Sequence, residues 1–474
     1  MTVSSEVLYF VPTLILAAVS LVVLFSSKND FRTPQEHFLG HPGELAILAS
    51  NVSSAFTVTT FWVLFIFSIK SWSIPSFLAL QFGILGAYLL YGFLLWKEIK
   101  SKTFLNLIFG DDPPNVVRRI FFGLALLSIV IELGLGRAFV EAILVKNDQS
   151  AWIATASIAI LGVLTILYTY SGGMFAVIMT DAIFVSLCVV AVSFMALTME
   201  TLPQMVGLRA DLADYDFSRL SVLDYVFYLS AGAYVFLMFL FHPDFWYRNL
   251  RLPYVSKGRR LSTILFSAVL TSALLQLAYF IGASSRTDED RALIYNNLVD
   301  KHYDLGSVID VLAPVFRHQT GAIVLVFFVL VSAFTTVSSL IISAVAGYYE
   351  TDTSHGSERY ETLLAQFFKI TIVVTAVALT FDVITGISVA LLIASSQLTL
   401  TSSIICARLL RLPVRLSLRA ILLSLALFVV SAFLNWIAAW HFYYPFLALA
   451  SSAIASAILW VAGRQEEGAR DHGQ

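Results

Sequence analysis

Ala420 to Gly463 contains no Asp, Glu, Lys or Arg, and neither does Ser71 to Trp96. A helix needs about 20 apolar residues to cross the hydrocarbon of a bilayer. The first stretch therefore holds two crossings, with a turn near Trp440-His441, and the second holds one. Inside lipid the backbone must satisfy its own hydrogen bonds, which leaves helices or a closed barrel. The runs are continuous rather than alternating, which argues against a barrel. Composition agrees: 58% of the 474 residues are hydrophobic and 38 are Phe. Only 13% are charged, about half the share usual in a soluble protein. Soluble enzymes, nucleic-acid binders and disordered scaffolds are excluded on that ground. The net charge of -2 implies no bulk electrostatic partner. Cys188 and Cys406 sit in apolar runs without metal-ligand neighbours, so no disulfide framework is expected.

The hydropathy predicts an all-α polytopic membrane protein of 13 spans. They fall at 7–27, 43–69, 74–96, 119–145, 151–170, 175–197, 222–245, 261–284, 322–349, 363–381, 384–406, 418–438 and 443–462. The first is no signal peptide, because Met1 to Glu6 carries no basic residue. Of the 29 Lys and Arg, 19 lie in loops on one side and 8 on the other, with Arg137 and Lys369 inside spans. Basic residues favour the cytoplasmic side, so the N-terminus is expected outside and the C-terminus in the cytoplasm. No extramembrane domain is expected. The outer loop 285–321 contains one apolar patch, Val308 to Phe316, suited to a short surface helix, and the polar segment 463–474 reads as a disordered tail.

Polar residues inside apolar spans must be satisfied by protein, water or ions. Ser50, Asn51, Ser53 and Ser54, within Leu48–Ser54, can bond the backbone and unwind the second span, or form a small packing face. In the sixth span Asp181 follows a Ser171-Gly172-Gly173 turn by eight residues from Gly173, about 12 Å into the membrane. It is either an ion ligand or a protonated structural group. Ser332, Thr335, Thr336 and Ser339 share one helical face, offering hard oxygen ligands to a small cation or hydrogen bonds between helices. Arg137 and Glu141 have pairing distance on one helix, with Glu132 needing its own partner. Ser395, Ser396 and Gln397 form a weaker polar step, and His242-Pro243-Asp244 ends the seventh span. No P-loop, zinc spacing or catalytic triad pattern occurs, so no enzyme is expected.

Ala49-Ser50-Asn51-Val52-Ser53, Tyr170-Ser171-Gly172-Gly173 with Ala176-Val177 and Thr180-Asp181, and the Ser332 stripe together resemble the solute:sodium symporter family. That family includes sodium symporters of proline, sugars, sialic acid and pantothenate. The basic run Arg248 to Arg260 adds to the likeness, which covers roughly residues 8 to 410. The resemblance implies a LeuT-type fold of two inverted five-helix repeats, at 43–197 and 222–406. An extra helix within 1–30 precedes them and two C-terminal helices, 418–462, follow. It implies that spans 2 and 7 break near the midplane, where solute and Na⁺ bind.

The family's common sodium site falls on the carbonyls of Ala49, Val52 and Val329 and on Ser332 and Ala333. Ala333 departs from the pattern, because it lacks the hydroxyl. A second site, found in some members, falls on Asp181, Ser332, Thr335 and Thr336, all of which keep oxygen ligands. Further departures are Phe184 and Tyr247, each where the family has Gln, and Ala55 and Phe56, where sugar transporters have polar residues. The solute pocket implied is Ser53, Ser54, Phe56, Thr57, Gln81 and His242, with Trp246 nearby. The expected activity is import of a small solute coupled to Na⁺ by a monomer in the cell membrane. A non-transporting solute sensor and a proton-coupled symporter are the alternatives.

Overall fold

The structure, a computed structural model, describes residues 5–27, 43–53, 57, 74–96, 114–198, 257–283, 319–349, 387–437 and 444–471, with scattered residues within 221–236 and 365–379. Every long element among them is a helix: α1 (Ser5–Ser26), α2 (Glu44–Ser53), α3 (Ile74–Trp96), α4 (Asn115–Lys146), α5 (Trp152–Thr198), α6 (Lys257–Ala283), α7 (Gln319–Tyr349), α8 (Ile387–Leu409), α9 (Val414–Ile437) and α10 (Tyr444–Asp471). Five stretches among the described residues are long and apolar enough to cross a membrane: Glu6–Ser26, Trp152–Ala191, Gln319–Val345, Val414–Leu434 and Phe446–Arg464.

α7 is the axis of the bundle. Its membrane-length window is 94% buried inside the protein, against 33% for α1 and 28% for α10. A helix that is apolar or small on every side has no face suited to water, so it is enclosed. α4, α5 and α1 enclose it, while α8, α9 and α10 pack on one another. The outer helices keep large side chains such as Val22, Phe433 and Ile458 exposed, which suits lipid rather than water.

α5 is two antiparallel arms. A straight helix of 47 residues would be about 70 Å long, more than twice the hydrocarbon thickness. Gly173 breaks it, with φ 55 and ψ -146, a backbone region open essentially to Gly alone. The Tyr168 side chain consequently sits beside Thr180, which a continuous helix would place about 18 Å away. Gly172 is needed for another reason: a Cβ there would overlap Ser27 at the end of α1.

Side-chain pairs set the helix directions. Ser150 donates to Glu6, Thr13 Oγ1 donates to Ser157 Oγ at 2.6 Å, and Ser27 abuts Gly172, so α1 runs parallel to the first arm of α5. Glu44 pairs with Arg259 at 3.5 Å, and the Tyr88 hydroxyl joins Asn51 O (3.0 Å) to Thr271 Oγ1 (3.2 Å), so α2 and α6 are parallel. α3 runs against α6, because Gln81 meets Ser272 while Gly92 faces Leu261.

The structure bears on two local expectations. Leu48–Ser54 reads either as a segment that can unwind or as a small packing face; the helix persists through Ser53, and Thr57, the next described residue, is non-helical and buried. The serines are accommodated because Ser50 and Ser53 hydroxyls find partners on the buried face. The polar residues of 463–474 read as a tail, but α10 continues to Asp471. Its guanidinium at Arg464 lies 4.4 Å from the Trp460 ring, a cation–π contact that fits the helical register.

Gly173→Ala forces a side chain into a disallowed backbone region and is expected to cost about 1–3 kcal/mol. Thermal unfolding in detergent should show a clear drop; a midpoint equal to wild type would contradict the reverse turn.

Candidate functional site at the α2–α5–α7 junction

The second arm of α5 carries Asp181 into the bundle, where it is completely buried. A carboxylate at that depth is costly unless compensated. Ser50 on α2 donates its hydroxyl to Asp181 Oδ2 at 2.8 Å. Ser50 can reach it because the buried face of α2, with Ile47, Ser50, Asn51 and Ser53, lies against α5. The α2 backbone is tied down in turn: Ser53 Oγ donates to Ser50 O at 2.8 Å, and Tyr88 donates to Asn51 O.

α7 packs against α5, and its hydroxyl residues are enclosed in the bundle. Ser332, Thr335, Thr336 and Ser339 are all buried. Thr335 Oγ1 donates to Val331 O at 3.0 Å, Thr336 Oγ1 to Ser332 O at 2.8 Å, and Ser339 Oγ to Thr335 O at 2.8 Å. A hydroxyl whose proton is used on its own helix keeps oxygen lone pairs to offer. Ser332 Oγ, in contrast, makes no hydrogen bond although Ser332 is only 1% exposed. A buried hydroxyl left so is disfavoured unless something else completes it. Ala333 is fully buried and apolar, and Val329 and Val52 are buried beside their carbonyl positions, while Ala49 is half-buried.

The first arm of α5 adds a group the sequence does not flag. Tyr168 is fully buried, and its hydroxyl makes no hydrogen bond of good geometry, with Ser338, Thr165 and Thr180 around it and Asp181 near. The turn at Ser171-Gly172-Gly173 contains the signal: a chain reversing there brings residue 168 beside residue 180. Two helices of unrelated sequence position supply the rest, so Ser50 as the partner of Asp181 has no local signature.

The proposed solute side chains divide. Ser53 and Thr57 are buried near the end of α2. Gln81 accepts a hydrogen bond from Ser272 and belongs to the α3–α6 seam. Ser54, Phe56, His242 and Trp246 lie outside the described residues. On α4, Arg137 Nη1 donates to Leu379 O at 3.2 Å, which ties α4 to that residue, and Glu132 is buried. Gln397 bonds Ser128 and Leu124 O, joining α8 to α4. Among the described residues, no three His, Cys, Asp or Glu side chains cluster as a metal site.

No family model and no curated protein matches the sequence. Solved structures do match over nearly its whole length. One is a Na⁺-coupled sialic acid symporter in a substrate-bound, outward-open state with a novel Na⁺ site. It is 15% identical over 96% of this chain and 98% of that one, with a TM-score of 0.65. Another is a nucleobase-cation-symport-1 family transporter in a closed conformation with bromovinylhydantoin bound. It is 14% identical over 92% of this chain and 95% of that one, with a TM-score of 0.51. The chain has the fold of these transporters, a LeuT-type helical membrane fold. At such low identity the likeness is one of fold, and the residues must carry the rest.

A hydrogen bond to a buried carboxylate contributes about 1.5–3 kcal/mol. In Na⁺-free buffer Ser50→Ala should therefore lower the thermal midpoint clearly, while Ser332→Ala, which breaks no hydrogen bond, should leave it nearly unchanged. Equal effects from the two would contradict the bonding described.

Proposed function

We propose that the protein is a secondary active transporter that imports a small solute across the cell membrane, driven by sodium ions, through alternating access. The observation that carries this is the buried Asp181 carboxylate held by Ser50, on a helix that packs against α7 with its buried hydroxyl stripe. Na⁺ needs several oxygens because it leaves its hydration shell on entry. Asp181 supplies charge, which acts strongly at low dielectric. Ser332, Thr335 and Thr336 supply neutral oxygens, one of them without a hydrogen bond. The carbonyls of Ala49, Val52 and Val329 are a second candidate set, weakened by Ala333, which withholds a hydroxyl. The Na⁺-coupled sialic acid symporter of the same fold supports the ion.

In this reading 13 spans run from an outer N-terminus to a cytoplasmic C-terminus, with inverted repeats at 43–197 and 222–406. The parallel and antiparallel pairs of α1, α2, α3, α5 and α6 support alternating crossings. Solute binds near Ser53, Ser54, Phe56, Thr57, Gln81, His242 and Trp246. A proton-coupled symporter is the second reading, favoured by the Tyr168 phenol beside Asp181.

The test is a Na⁺ titration of solute uptake into proteoliposomes at constant ionic strength, after a thermal-shift screen identifies the solute. Thr336→Val keeps the shape and removes the hydroxyl, and should raise the Na⁺ needed for half-maximal uptake severalfold. Ala333→Ser should lower it by completing the other ligand set. If both match wild type, the stripe is packing only. Acidification adds a separate expectation: H⁺ and Na⁺ compete for one carboxylate, so lower pH should raise the Na⁺ requirement, and Asp181→Asn should remove that dependence. Uptake driven by a pH gradient without Na⁺ would establish the proton-coupled reading instead.

A further inference from the structure

The end of α8 and the facing ends of α9 and α10 form a basic corner that the transport reading leaves unused. The turn after α8 is closed by Leu410 N–H to Cys406 O at 3.0 Å and Leu412 N–H to Ala407 O at 2.9 Å. Its left-handed residue is Arg411, with φ 53. Gly ordinarily fills that place, because a Cβ is strained there. The turn thus tolerates strain and carries a cation.

Arg415 and Arg419 follow, one helical turn apart on the exposed side of the first turns of α9. α10 brings its far end alongside: a Cβ on Gly463 would lie 2.8 Å from Leu416 Cδ1. Arg464, exposed and stacked on Trp460, joins the group. The N–H groups that begin α9 add positive potential at the same point. Directly along both helices the exposed surface turns apolar. Leu422 and Phe433 continue the Arg415–Arg419 face of α9, and Ile458 and Val461 lead to Arg464 on α10.

We infer that this corner binds the headgroup of an anionic phospholipid, with the acyl chains along the α9–α10 stripes. The two surfaces select the occupant. Arginine forks match phosphate oxygens, and an amphiphile also covers the apolar stripes that adjoin them. A free phosphate would satisfy the arginines alone. The site also gives a reason for Arg at a position that favours Gly.

The test follows thermal unfolding of the full chain in neutral detergent, titrated with phosphatidylglycerol, phosphatidylcholine or inorganic phosphate. Phosphatidylglycerol should raise the midpoint at concentrations where the other two do nothing. Arg415→Gln with Arg419→Gln should raise the phosphatidylglycerol needed by roughly tenfold; the single Arg415→Gln serves if the pair does not fold. Arg259→Gln, at the exposed pair with Glu44, should change nothing. Arg411→Gly should raise the lipid-free midpoint, by relieving the turn, yet weaken the phosphatidylglycerol response. Equal stabilisation by phosphatidylcholine, stabilisation by phosphate alone, or an unchanged lipid response in the Arg415 and Arg419 variants overturns the site.

Discussion

A carboxylate buried completely inside a membrane-spanning bundle cannot stand alone. Asp181 is such a group, and the architecture around it answers to that constraint. Gly173 turns the chain so that the second arm of α5 re-enters the bundle. α2 lies close enough for Ser50 to donate to the carboxylate. α7, enclosed on nearly every side, packs against α5 and carries buried hydroxyls along its length. Interior hydroxyls are poor choices for packing alone, since each buried polar atom needs a partner. On α7, Thr335, Thr336 and Ser339 find theirs on carbonyls of their own helix, while Ser332 Oγ makes no hydrogen bond.

The same logic separates the inner helices from the outer ones. Polar satisfaction is worked out between α2, α3, α5 and α6, through Ser50–Asp181, Tyr88–Asn51 and Gln81–Ser272. The last helices pack on one another, with a smaller hydroxyl seam at Ser402 and Ser452, whose oxygens lie 2.7 Å apart. Their outward faces are apolar and take their solvent from lipid. An alternating-access transporter needs this division, because the helices around the ion must shift while a scaffold stays in the membrane.

Much of this is legible in the chain. Uncharged runs such as Ser71–Trp96 admit few folds other than a membrane helix, and Asp181 in an apolar span announces a partner. The regular i, i+3, i+4 spacing from Ser332 to Ser339 shows one face. Other features are not local. Ser50 and Asp181 stand 131 positions apart, and no periodicity along either helix says that they meet. Tyr168 is hidden because its role depends on the fold-back at Gly173. Composition leaves open whether Leu48–Ser53 stays helical; tertiary partners for the serine hydroxyls outweigh their tendency to compete with the backbone. The Ser272–Gln81 bond is another case, joining helices 191 positions apart with no local signature.

The central claim is that Asp181 is the charge that holds the coupling ion. Equilibrium binding of radioactive Na⁺ to the purified protein tests it most directly, since it needs no knowledge of the solute. The account predicts saturable binding to wild type that excess K⁺ does not displace, and loss of most of that binding in Asp181→Asn with the fold retained. Undiminished Na⁺ binding by a folded Asp181→Asn variant would contradict it.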